Sequence, residues 1–403
     1  MKIVIVGLQW GDEGKGKVVA YFSQFFDNVV RFSGGSNAGH TIEYNEGIKI
    51  VNHLLPSFYN GKQLNLIISN GVLVDLETLV EEIEELKNKI DYLPEIKISN
   101  LAHVVLPFHK VLDEKIDEET HIGTTKRGIG PAYADKINRI GIRLKDFENK
   151  DNLMKKLRNI SEFYYKMYGI NLTLNYKYII ELYEKIKRYI VSQMEIIEEI
   201  KESNVLFEGT QGVLLDLDMG TYPYVTGTNC NTTGVQSGVG YPVKIDKYLG
   251  VFKAYLTRVG NGPFPTEIYG EEAAMLREKG KEFGATTGRP RRVGWLDLIL
   301  LKYAIKVSGV EELVLTKGDI LSKITKIPVC IGYKIGSKVK ENITSIDEIK
   351  EVTPVYTYLD GWETLNDLNF KRFLEFIENF VDVKIKYVSY GPKVDQIKQI
   401  RQN

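Results

Sequence analysis

Cysteine, long apolar runs and net charge are all scarce in this chain. Cys230 and Cys330 are its only cysteines, which is typical of a reducing compartment and leaves no cysteine spacing for a metal site. No apolar run approaches the length of a membrane span, and the amino terminus enters a strand rather than a signal peptide. Lys plus Arg and Asp plus Glu both number 53, so the zero net charge argues against a nonspecific nucleic-acid or membrane-surface protein. We therefore expect a soluble, cytoplasmic protein.

Apolar runs of strand length alternate with helical patterns along the chain. The strand-like runs are residues 3–6, 29–32, 66–68, 205–207, 251–256, 313–315 and 383–388. Asp75 is a candidate N-cap for a helix over residues 76–90, and residues 176–202 also have helical spacing. This alternation predicts an α/β fold with a large, mostly parallel central sheet and flanking helices. We expect one domain, 1–403, with an inserted helical subdomain at about 149–203.

Residues 9–17, QWGDEGKGK, follow the first apolar run and are the strongest functional signal in the sequence. A strand that ends in a glycine-rich, lysine-bearing turn is typical of a phosphate site, because glycines let backbone N–H groups converge and lysines add positive charge. Asp12 and Glu13 lie in the same turn. A carboxylate beside a polyphosphate is repulsive unless it binds a metal or transfers a proton. The segment therefore predicts phosphoryl chemistry with a built-in base or metal ligand.

This segment differs from the standard P-loop pattern G-x-x-x-x-G-K-[ST]. The interval from Gly7 to Gly14 is two residues too long, and Gly16 stands where the pattern has Ser or Thr. Since that hydroxyl usually holds Mg²⁺, Asp12 is the nearest candidate to supply the metal with an oxygen. A plain tight turn is the alternative, but it does not explain the acidic and basic residues. We predict a P-loop-NTPase-like nucleotide site of unusual form.

Two other segments suit a nucleotide site. Residues 33–41 are rich in glycine and contain His40, which could approach a phosphoryl group closely. A lone histidine is more often structural, and four others without such neighbours are interpreted that way: His53, His103, His109 and His121. Residues 316–319, TKGD, resemble the guanine reader N/T-K-x-D. There an Asp carboxylate accepts from guanine N1–H and the exocyclic amine, while the Lys stem packs on the base.

Basic glycine-containing loops complete the pattern. Residues 285–292, ATTGRPRR, hold three arginines, and arginine suits bidentate capture of phosphate or carboxylate. A solvated basic turn is the alternative interpretation. Residues 128–139 add Lys136 and Arg139. Together these segments indicate more bound anions than one nucleotide carries. Because long polar loops in a compact domain are often functional, we expect the site at the carboxyl ends of the strands.

The chain resembles the adenylosuccinate synthetase family in eight segments that occur in the family's order. They are QWGDEGKGK, SGGSNAGHT, GIGPAYADKINR, EGTQG, GTYPYVT, TRVGNGPFPTE, ATTGRPRR and TKGD. Small departures around the third segment occur at Lys126, Ala134, Asn138 and Ile140. The resemblance implies a GTP-dependent ligase that converts IMP and L-aspartate into adenylosuccinate, GDP and phosphate through a 6-phosphoryl-IMP intermediate. This is the committed step from IMP towards AMP.

The resemblance also implies catalytic roles. Asp12 would take the N1 proton of IMP, so that O6 can attack the γ-phosphate of GTP. His40 would hydrogen-bond the transferred phosphoryl group, and Lys15 and Gln211 complete the catalytic set. One Mg²⁺ per subunit would be held by Asp12 and by the backbone carbonyl of Gly39.

Three substrate subsites follow from the same resemblance. The implied IMP contacts are Asp12, Glu13, Gly14, Lys15, Asn37, Ala38, Gly39, His40, Thr125, Arg139, Gln211, Thr226 and Arg289. The implied GTP contacts are Gly11, Asp12, Glu13, Gly14, Lys15, Gly16, Lys17, Gly39, His40, Thr41, Arg291, Lys317, Gly318, Asp319, Ser389, Tyr390 and Gly391. The implied aspartate contacts are Val259, Ala285, Thr286, Thr287, Gly288, Arg289, Pro290 and Arg291. Arg139 would be donated by a partner subunit, which implies a homodimer; neither nucleic acid nor a membrane is an expected partner.

Two alternatives stay open at this point. A regulatory GTPase would bind GTP alone and would not need the arginine-rich loop; GTP turnover that depends on IMP and aspartate would exclude it. A nucleotide-binding scaffold that has lost activity is the other alternative. The presence of Asp12, Lys15, His40 and Arg289 argues against the scaffold.

Overall fold

The computed structural model describes residues 1–45, 47–172, 175–284 and 288–401. In chain order its strands are β1 (Lys2–Gly7), β2 (Asn28–Arg31), β3 (His40–Glu43), β4 (Lys49–Asn52), β5 (Asn65–Ile68), β6 (Leu73–Asp75), β7 (Glu95–Ser99), β8 (His103–Val105), β9 (Ile190–Val191), β10 (Val205–Glu208), β11 (Lys247–Lys253), β12 (Tyr255–Arg258), β13 (Arg292–Asp297), β14 (Glu312–Thr316), β15 (Lys326–Ile335), β16 (Lys338–Lys340), β17 (Thr353–Asp360), β18 (Lys384–Ser389) and β19 (Ile397–Gln399).

The α-helices are α1 (Lys15–Ser23), α2 (Leu76–Lys89), α3 (Pro107–Thr120), α4 (Ile129–Ile137), α5 (Lys150–Tyr168), α6 (Tyr176–Ile186), α7 (Gln193–Glu202), α8 (Gly234–Val239), α9 (Gly270–Gly280), α10 (Leu298–Ser308) and α11 (Leu368–Val381). Short 3₁₀ helices cover Leu144–Glu148, Lys187–Tyr189, Val213–Leu215, Gly318–Leu321 and Ile346–Glu351. None of the helices in this description is long and apolar enough to cross a membrane.

A ten-stranded sheet forms the centre of the fold, in the order β19-β18-β14-β11-β1-β10-β2-β5-β7-β9. Every neighbouring pair is parallel except β18 and β19. Successive residues of β1 point to opposite faces: Ile3 and Ile5 join one hydrophobic cluster, while Val4 and Val6 join the other. A strand buried on both faces has to be apolar at nearly every position. The predicted α/β fold with a mostly parallel sheet is confirmed.

The predicted single strand over residues 251–256 is wrong. β11 ends at Lys253 in the central sheet, and β12 begins at Tyr255 in a second, five-stranded sheet. Ala254 lies between the two strands, and its N–H donates to the carbonyl of Thr316 at 3.0 Å. Both halves of the run are buried, so composition does not change where the chain passes from one sheet to the other. The second sheet carries part of the site through β12 and β13.

The helix predicted after Asp75 is confirmed as α2, and the Asp75 side chain caps it by accepting from the N–H of Thr78 at 3.4 Å. The helical pattern over 176–202 is interrupted, however. α6 ends at Ile186, and β9 pairs in parallel with β7 before Ser192 caps α7. Isoleucine and valine suit a strand as well as a helix face, so spacing alone did not reveal the break.

Segment 149–203 packs on both faces of the central sheet. Leu153 of α5 and Ile179 of α6 belong to the cluster that contains Ile5, whereas Ile196 and Ile200 of α7 belong to the other cluster. The inserted helical subdomain stays a prediction. Helix α4 lies in residues 128–139, which were interpreted above as a basic glycine-containing loop.

Candidate active site

The loop that connects β1 to α1, the glycine loop (residues 8–14), is organised around the buried side chain of Glu13. One carboxylate oxygen accepts from the N–H of Gln9 at 3.0 Å and the N–H of Gly11 at 2.9 Å. The other oxygen pairs with Lys15 Nζ at 2.6 Å. Because both oxygens are occupied, Glu13 shapes the loop from inside. Its predicted contacts with IMP and GTP stay predictions, and the backbone N–H is the group left to make them.

Glycines are required where this loop is crowded. A Cβ on Gly7 would lie 2.3 Å from Glu13 Oε2, and one on Gly212 would lie 2.2 Å from the carbonyl of Gln9. Gly11 and Gly14 have φ of 87° and 84°, values that favour glycine. Asp12 adopts φ 59° without being glycine, which is uncommon and typical of functional positions. The backbone thus holds Asp12 in a fixed position at the loop tip.

The carboxylate of Asp12 is paired with the arginine-rich segment. Asp12 Oδ2 lies 2.8 Å from Arg291 Nε, and Arg291 Nη1 lies 2.7 Å from Glu282 Oε2. The Asp12 side chain is 29% exposed, whereas Glu282 is 1% exposed. Asp12, the predicted general base, is therefore partly exposed to solvent. Arg291, which pairs with it, is fixed in turn by the buried carboxylate of Glu282.

Glu282 is the centre of a buried charged cluster. Its Oε1 accepts from the Tyr255 hydroxyl at 2.5 Å and lies 3.4 Å from the ammonium of fully buried Lys253. Burial alone would raise the pKa of Glu282, but the cations Lys253, Lys317 and Arg291 lower it to about 2. Glu282 is therefore ionised at neutral pH, and it fixes the orientation of Arg291.

His40 is held by a second buried carboxylate. Its Nδ1 lies 2.6 Å from Glu208 Oε1, at the carboxyl end of β10. Glu208 also accepts from the Ser57 N–H at 2.9 Å and the Ser57 hydroxyl at 2.7 Å. Burial raises the pKa of Glu208, but His40, Arg31 and Ser57 more than offset it and keep that pKa below its usual range. With Nδ1 bound to Glu208, the ring presents Nε2 for other contacts.

Close packing places His40 beside α1. A Cβ on Gly16 would lie 2.6 Å from His40 Cβ, so the first turn of α1 and the start of β3 touch. His53, interpreted as structural, lies here as well: its Nδ1 is 2.6 Å from the carbonyl of Ala38. The predicted segments 9–17 and 33–41 therefore lie against each other, and His53 supports the second segment.

Two of the predicted IMP contacts, Asn37 and Gln211, have buried polar atoms that are not used in hydrogen bonds to described residues. Asn37 Nδ2 donates to Thr226 Oγ1 at 3.3 Å, while Asn37 Oδ1 is buried and has no partner within the described ranges. Gln211 Nε2 is also buried without a partner in the part of the chain that the structure describes, and Gln211 lies beside Gly11 of the glycine loop. Buried unpaired polar groups are costly. Unpaired polar atoms on Asn37 and Gln211 are expected if these side chains hydrogen-bond a polar ligand.

The TKGD segment adjoins the glycine loop. Thr316 ends β14, and its hydroxyl donates to the carbonyl of Glu13 at 2.7 Å. Lys317 adopts φ 60°, and its Nζ donates to the carbonyl of Gly280 at 2.7 Å. Asp319 lies on the 3₁₀ helix that begins at Gly318. Strand ends of the central sheet thus bring the predicted base reader and the predicted phosphate site together.

Lys17 is placed differently from the other lysine of the loop. Lys17 Nζ donates to Ser389 Oγ at 2.8 Å, to the carbonyl of Gln396 at 3.0 Å, and to the carbonyl of Gly391. The Lys17 ammonium therefore contacts the segment after β18 rather than the interior of the glycine loop. Tyr390 in the same segment is 45% exposed, so its side chain is accessible to a ligand.

The remaining predicted residues lie around this centre. Arg139 is exposed at the end of α4, with φ 64°, and Thr125 is also exposed. The chain near Thr125 packs on the chain near Val259, because the N–H of Asn261 donates to the carbonyl of Ile122 at 3.3 Å. Of the predicted aspartate contacts, Ala285, Thr286 and Thr287 lie outside the described residues.

Sequence reasoning missed the buried groups that support the site. Glu208 entered the sequence analysis only as the first residue of EGTQG. A charged residue directly after the apolar run VLF could have indicated a functional carboxylate at the end of a strand. Glu282 and Lys253 are about thirty residues apart and carry no local pattern. Arg31 at the end of β2 is fully buried, and its Nε and Nη1 have no hydrogen-bond partner among the residues that the structure describes.

A metal at this site would bind few protein oxygens. Across the described ranges, no three His, Cys, Asp or Glu side chains form a metal-binding group. Magnesium in nucleotide enzymes is often bound by one or two carboxylates plus phosphate oxygens. The partly exposed Asp12 carboxylate and the Gly39 carbonyl, beside His40, match that donor chemistry.

Fold and site together define a nucleotide-binding α/β protein with a P-loop-like glycine loop. The profile of the adenylosuccinate synthetase family matches residues 4–398. An adenylosuccinate synthetase from Thermosipho africanus is 60% identical over 400 residues, which covers 98% of this chain and 99% of that protein. One from Thermotoga maritima is 51% identical and covers 99% and 100%. A solved, fully ligated adenylosuccinate synthetase from Plasmodium falciparum matches with a TM-score of 0.89 at 35% identity over 99% of each chain.

The chain belongs to the adenylosuccinate synthetase family. It is a ligase that joins IMP and L-aspartate to form adenylosuccinate in AMP biosynthesis, and GTP dependence is standard for the family. The family predicted from the sequence is thereby confirmed. Membership in this enzyme family favours the ligase over the two alternatives considered above, a regulatory GTPase and an inactive nucleotide-binding scaffold.

Proposed function

We propose that Asp12 and His40 are the catalytic centre of this ligase, and that the two carboxylate-anchored assemblies around them prepare it for phosphoryl transfer. The proposal rests on two ion pairs, one at Asp12 and one at His40. Asp12 is held by Arg291 at 2.8 Å, and His40 is held by Glu208 at 2.6 Å. Both lie at the amino-terminal end of α1, where backbone N–H groups attract anions.

In the proposed reaction Asp12 removes the N1 proton of IMP, which gives O6 the electron density to attack. A bond forms between O6 and the γ-phosphorus of GTP, and the bond from that phosphorus to the β-phosphate oxygen of GDP breaks. The amine of aspartate then adds to C6, and the C6–O6 bond breaks so that O6 leaves as part of inorganic phosphate. General-base catalysis of this kind typically contributes roughly 10²–10⁴ in rate.

His40 donates from Nε2 to the transferred phosphoryl group. The charge that an imidazolium carries is balanced by Glu208, so the ring can act without leaving a lone charge in the core. Lys15 supplies a positive charge at the phosphates while its link to Glu13 fixes its position. Gln211 and Asn37 offer IMP buried polar atoms that have no hydrogen-bond partner among the described residues.

Mg²⁺, one per subunit, is part of the proposal. Asp12 and the carbonyl of Gly39 would hold it, and when bound it neutralises charge on the phosphate oxygens. Both oxygens of Asp12 become available for these tasks once Oδ2 no longer faces Arg291 Nε, which lies 2.8 Å away. We therefore propose that Arg291 moves to GTP or aspartate when those substrates enter.

The other subsites follow the predicted assignments. Lys317 and Asp319 bind the guanine base, with Ser389 to Gly391 closing over it. Gly288 to Arg291 and Val259 bind L-aspartate, together with the three residues outside the described ranges. Arg139 is exposed and far along the chain from Asp12, which is compatible with donation to the IMP phosphate of a partner subunit in a homodimer. A cytoplasmic location is part of the same proposal, since both cysteines are buried and unpaired.

A direct spectrophotometric assay tests these roles. The purified chain is mixed with IMP, GTP, L-aspartate and Mg²⁺, and adenylosuccinate formation is followed by ultraviolet absorbance. Leaving out each component in turn should stop product formation, and chelation of Mg²⁺ should do the same. The assignment of metal to Asp12 is contradicted if calorimetric Mg²⁺ titrations of the GTP-bound wild-type enzyme and of GTP-bound Asp12→Asn give the same half-saturating concentration.

A further inference from the structure

The ammonium of Lys17 joins two parts of the site that are far apart in sequence. It lies in the first turn of α1, yet it donates to Ser389, Gly391 and Gln396 in the 389–396 loop, which begins at the last residue of β18. We propose that Lys17 is a positioning residue for the guanine subsite rather than a phosphate ligand. This inference rests on the proposed placement of guanine at the 389–396 loop and Asp319.

Hydrogen-bond capacity supports the assignment. An ammonium has three N–H donors, and Lys17 meets three acceptors, namely Ser389 Oγ and the carbonyls of Gly391 and Gln396. The side chain is 7% exposed. A phosphate could be bound only by breaking at least one of these three contacts, because all three N–H donors of the ammonium are already used.

The contacted loop is closed on itself at the points that Lys17 holds. The N–H of Tyr390 donates to the carbonyl of Gln396 at 3.0 Å, and the N–H of Lys393 donates to Gln396 Oε1 at 2.9 Å. A Cβ on Gly391 would lie 2.3 Å from that same Oε1, so the turn is tightly packed. Lys17 binds a carbonyl at each end of this turn and thereby fixes the turn relative to α1.

Charge places Lys17 in the base subsite as well. Burial lowers the pKa of Lys17 to about 7, Asp319, Asp395 and Glu43 raise it, and Lys317 lowers it further. Asp319 is the residue proposed to read guanine. The four charged groups around Lys17 thus belong to the base-reading segment, to the 389–396 loop and to β3.

Two probes separate a base-positioning role from a phosphate-binding role. GDP needs both the base subsite and the phosphate site, whereas inorganic pyrophosphate needs only the phosphate site. For Lys17→Met we expect GDP to bind roughly tenfold more weakly, the loss of at least one charge-assisted hydrogen bond. The inhibition constant of pyrophosphate should stay unchanged. Lys15→Met is the matched control, and it should weaken pyrophosphate and GDP together.

Hydrogen exchange of the ligand-free enzyme gives a readout that needs no nucleotide. In Lys17→Met the amides of residues 389–396 should exchange faster than in wild type, while Lys15→Met should leave them unchanged. If Lys17→Met does not fold, Gln396→Ala loosens the same turn without altering α1 and should show the same weak GDP binding with normal pyrophosphate inhibition.

The outcomes are separable. Parallel weakening of GDP and pyrophosphate by Lys17→Met, with unchanged exchange in residues 389–396, would overturn the inference and make Lys17 a phosphate ligand. If wild-type enzyme binds GDP no better than ADP, the guanine subsite of the proposed function is wrong instead. In that case the exchange measurement alone decides whether Lys17 orders the loop.

Discussion

Asp12 Oδ2 and Arg291 Nε lie 2.8 Å apart, so the proposed base of the reaction is bound to the proposed aspartate-binding segment. The ion pair joins the glycine loop of the central sheet to the second sheet, where Arg291 precedes β13. Its consequence is a coupling: while Asp12 Oδ2 faces Arg291, that oxygen is not available to the N1 proton of IMP or to a metal. Entry of substrates that draw Arg291 away would release Asp12 at the time it is needed.

Replacing Glu208 with glutamine tests the support of His40. We expect kcat to fall by roughly 10², with little change in KM for GTP, because glutamine cannot balance an imidazolium. Steady-state kinetics give both values. Ser57→Ala is the control, since it removes one hydrogen bond to Glu208 and leaves the charge. A Glu208→Gln enzyme with wild-type kcat would show that His40 acts without its carboxylate.

Replacing Glu282 with glutamine tests the buried charge cluster. The pKa of Glu282 lies at about 2 rather than its usual 4.5 because Lys253, Lys317 and Arg291 outweigh burial. An acid whose pKa is lowered by folding stabilises the fold above its unfolded pKa and loses that effect as pH falls through the folded value. Wild type should therefore lose about 3 kcal/mol of this contribution between pH 4.5 and 2.

The variant should lack that part of the pH dependence. At neutral pH it should be less stable than wild type by about 3–5 kcal/mol, because Lys253 is left buried without its counter-charge. Thermal or denaturant unfolding at several pH values measures both effects. Glu199→Gln, which breaks a partly exposed pair with Lys97, should cost under about 1 kcal/mol. Equal losses in the two variants would contradict the account.

Replacing Asp319 with asparagine tests the base reader. Asparagine can donate to the O2 of xanthine, where aspartate would be repelled. We expect GTP to become a poorer substrate and xanthosine triphosphate a better one. The kcat/KM values for the two nucleotides measure the change. If the preference for GTP keeps its original margin, residues 316–319 do not read the base.

Mixed dimers test whether Arg139 acts on the partner's site. Asp12→Asn and Arg139→Leu should each be nearly inactive alone. In a mixed dimer one site holds both lesions and the other holds neither. Random exchange makes half of the dimers mixed, so activity should recover to roughly a quarter of wild type by two-fold symmetry. Size analysis of tagged chains confirms exchange, and exchange without recovery would place Arg139 in its own subunit's site or in none.

The sequence was sufficient to predict those parts of the site whose residues lie together in a short segment. Gly11, Gly14 and Lys15 identify the glycine loop by themselves, and the TKGD segment has its own physical rationale after a buried strand. The parallel sheet was also predictable, since a strand such as β1 must be apolar on both faces. The glycine loop and the TKGD segment lie close together because loops that follow parallel strands converge at one edge of the sheet.

The sequence was insufficient where a role depends on a partner distant in the chain. Glu13 appears in the sequence as a ligand candidate, yet its oxygens brace the loop, because only the folded turn shows what they face. Lys17 is similar to Lys15 in the sequence, but a helical turn directs it to a segment 372 residues away. The break at Ala254 left no trace because both strands beside it are buried.

The central claim is that O6 of IMP is phosphorylated by GTP before aspartate attacks C6. Heavy-oxygen labelling tests this most directly. IMP labelled at O6 is converted with GTP, Mg²⁺ and L-aspartate, and the inorganic phosphate is analysed by mass spectrometry. The account predicts one labelled oxygen in each phosphate released by wild type, and no labelled phosphate from Asp12→Asn. Unlabelled phosphate with full yield of adenylosuccinate would contradict it, because O6 would then have left C6 without ever being bound to phosphorus.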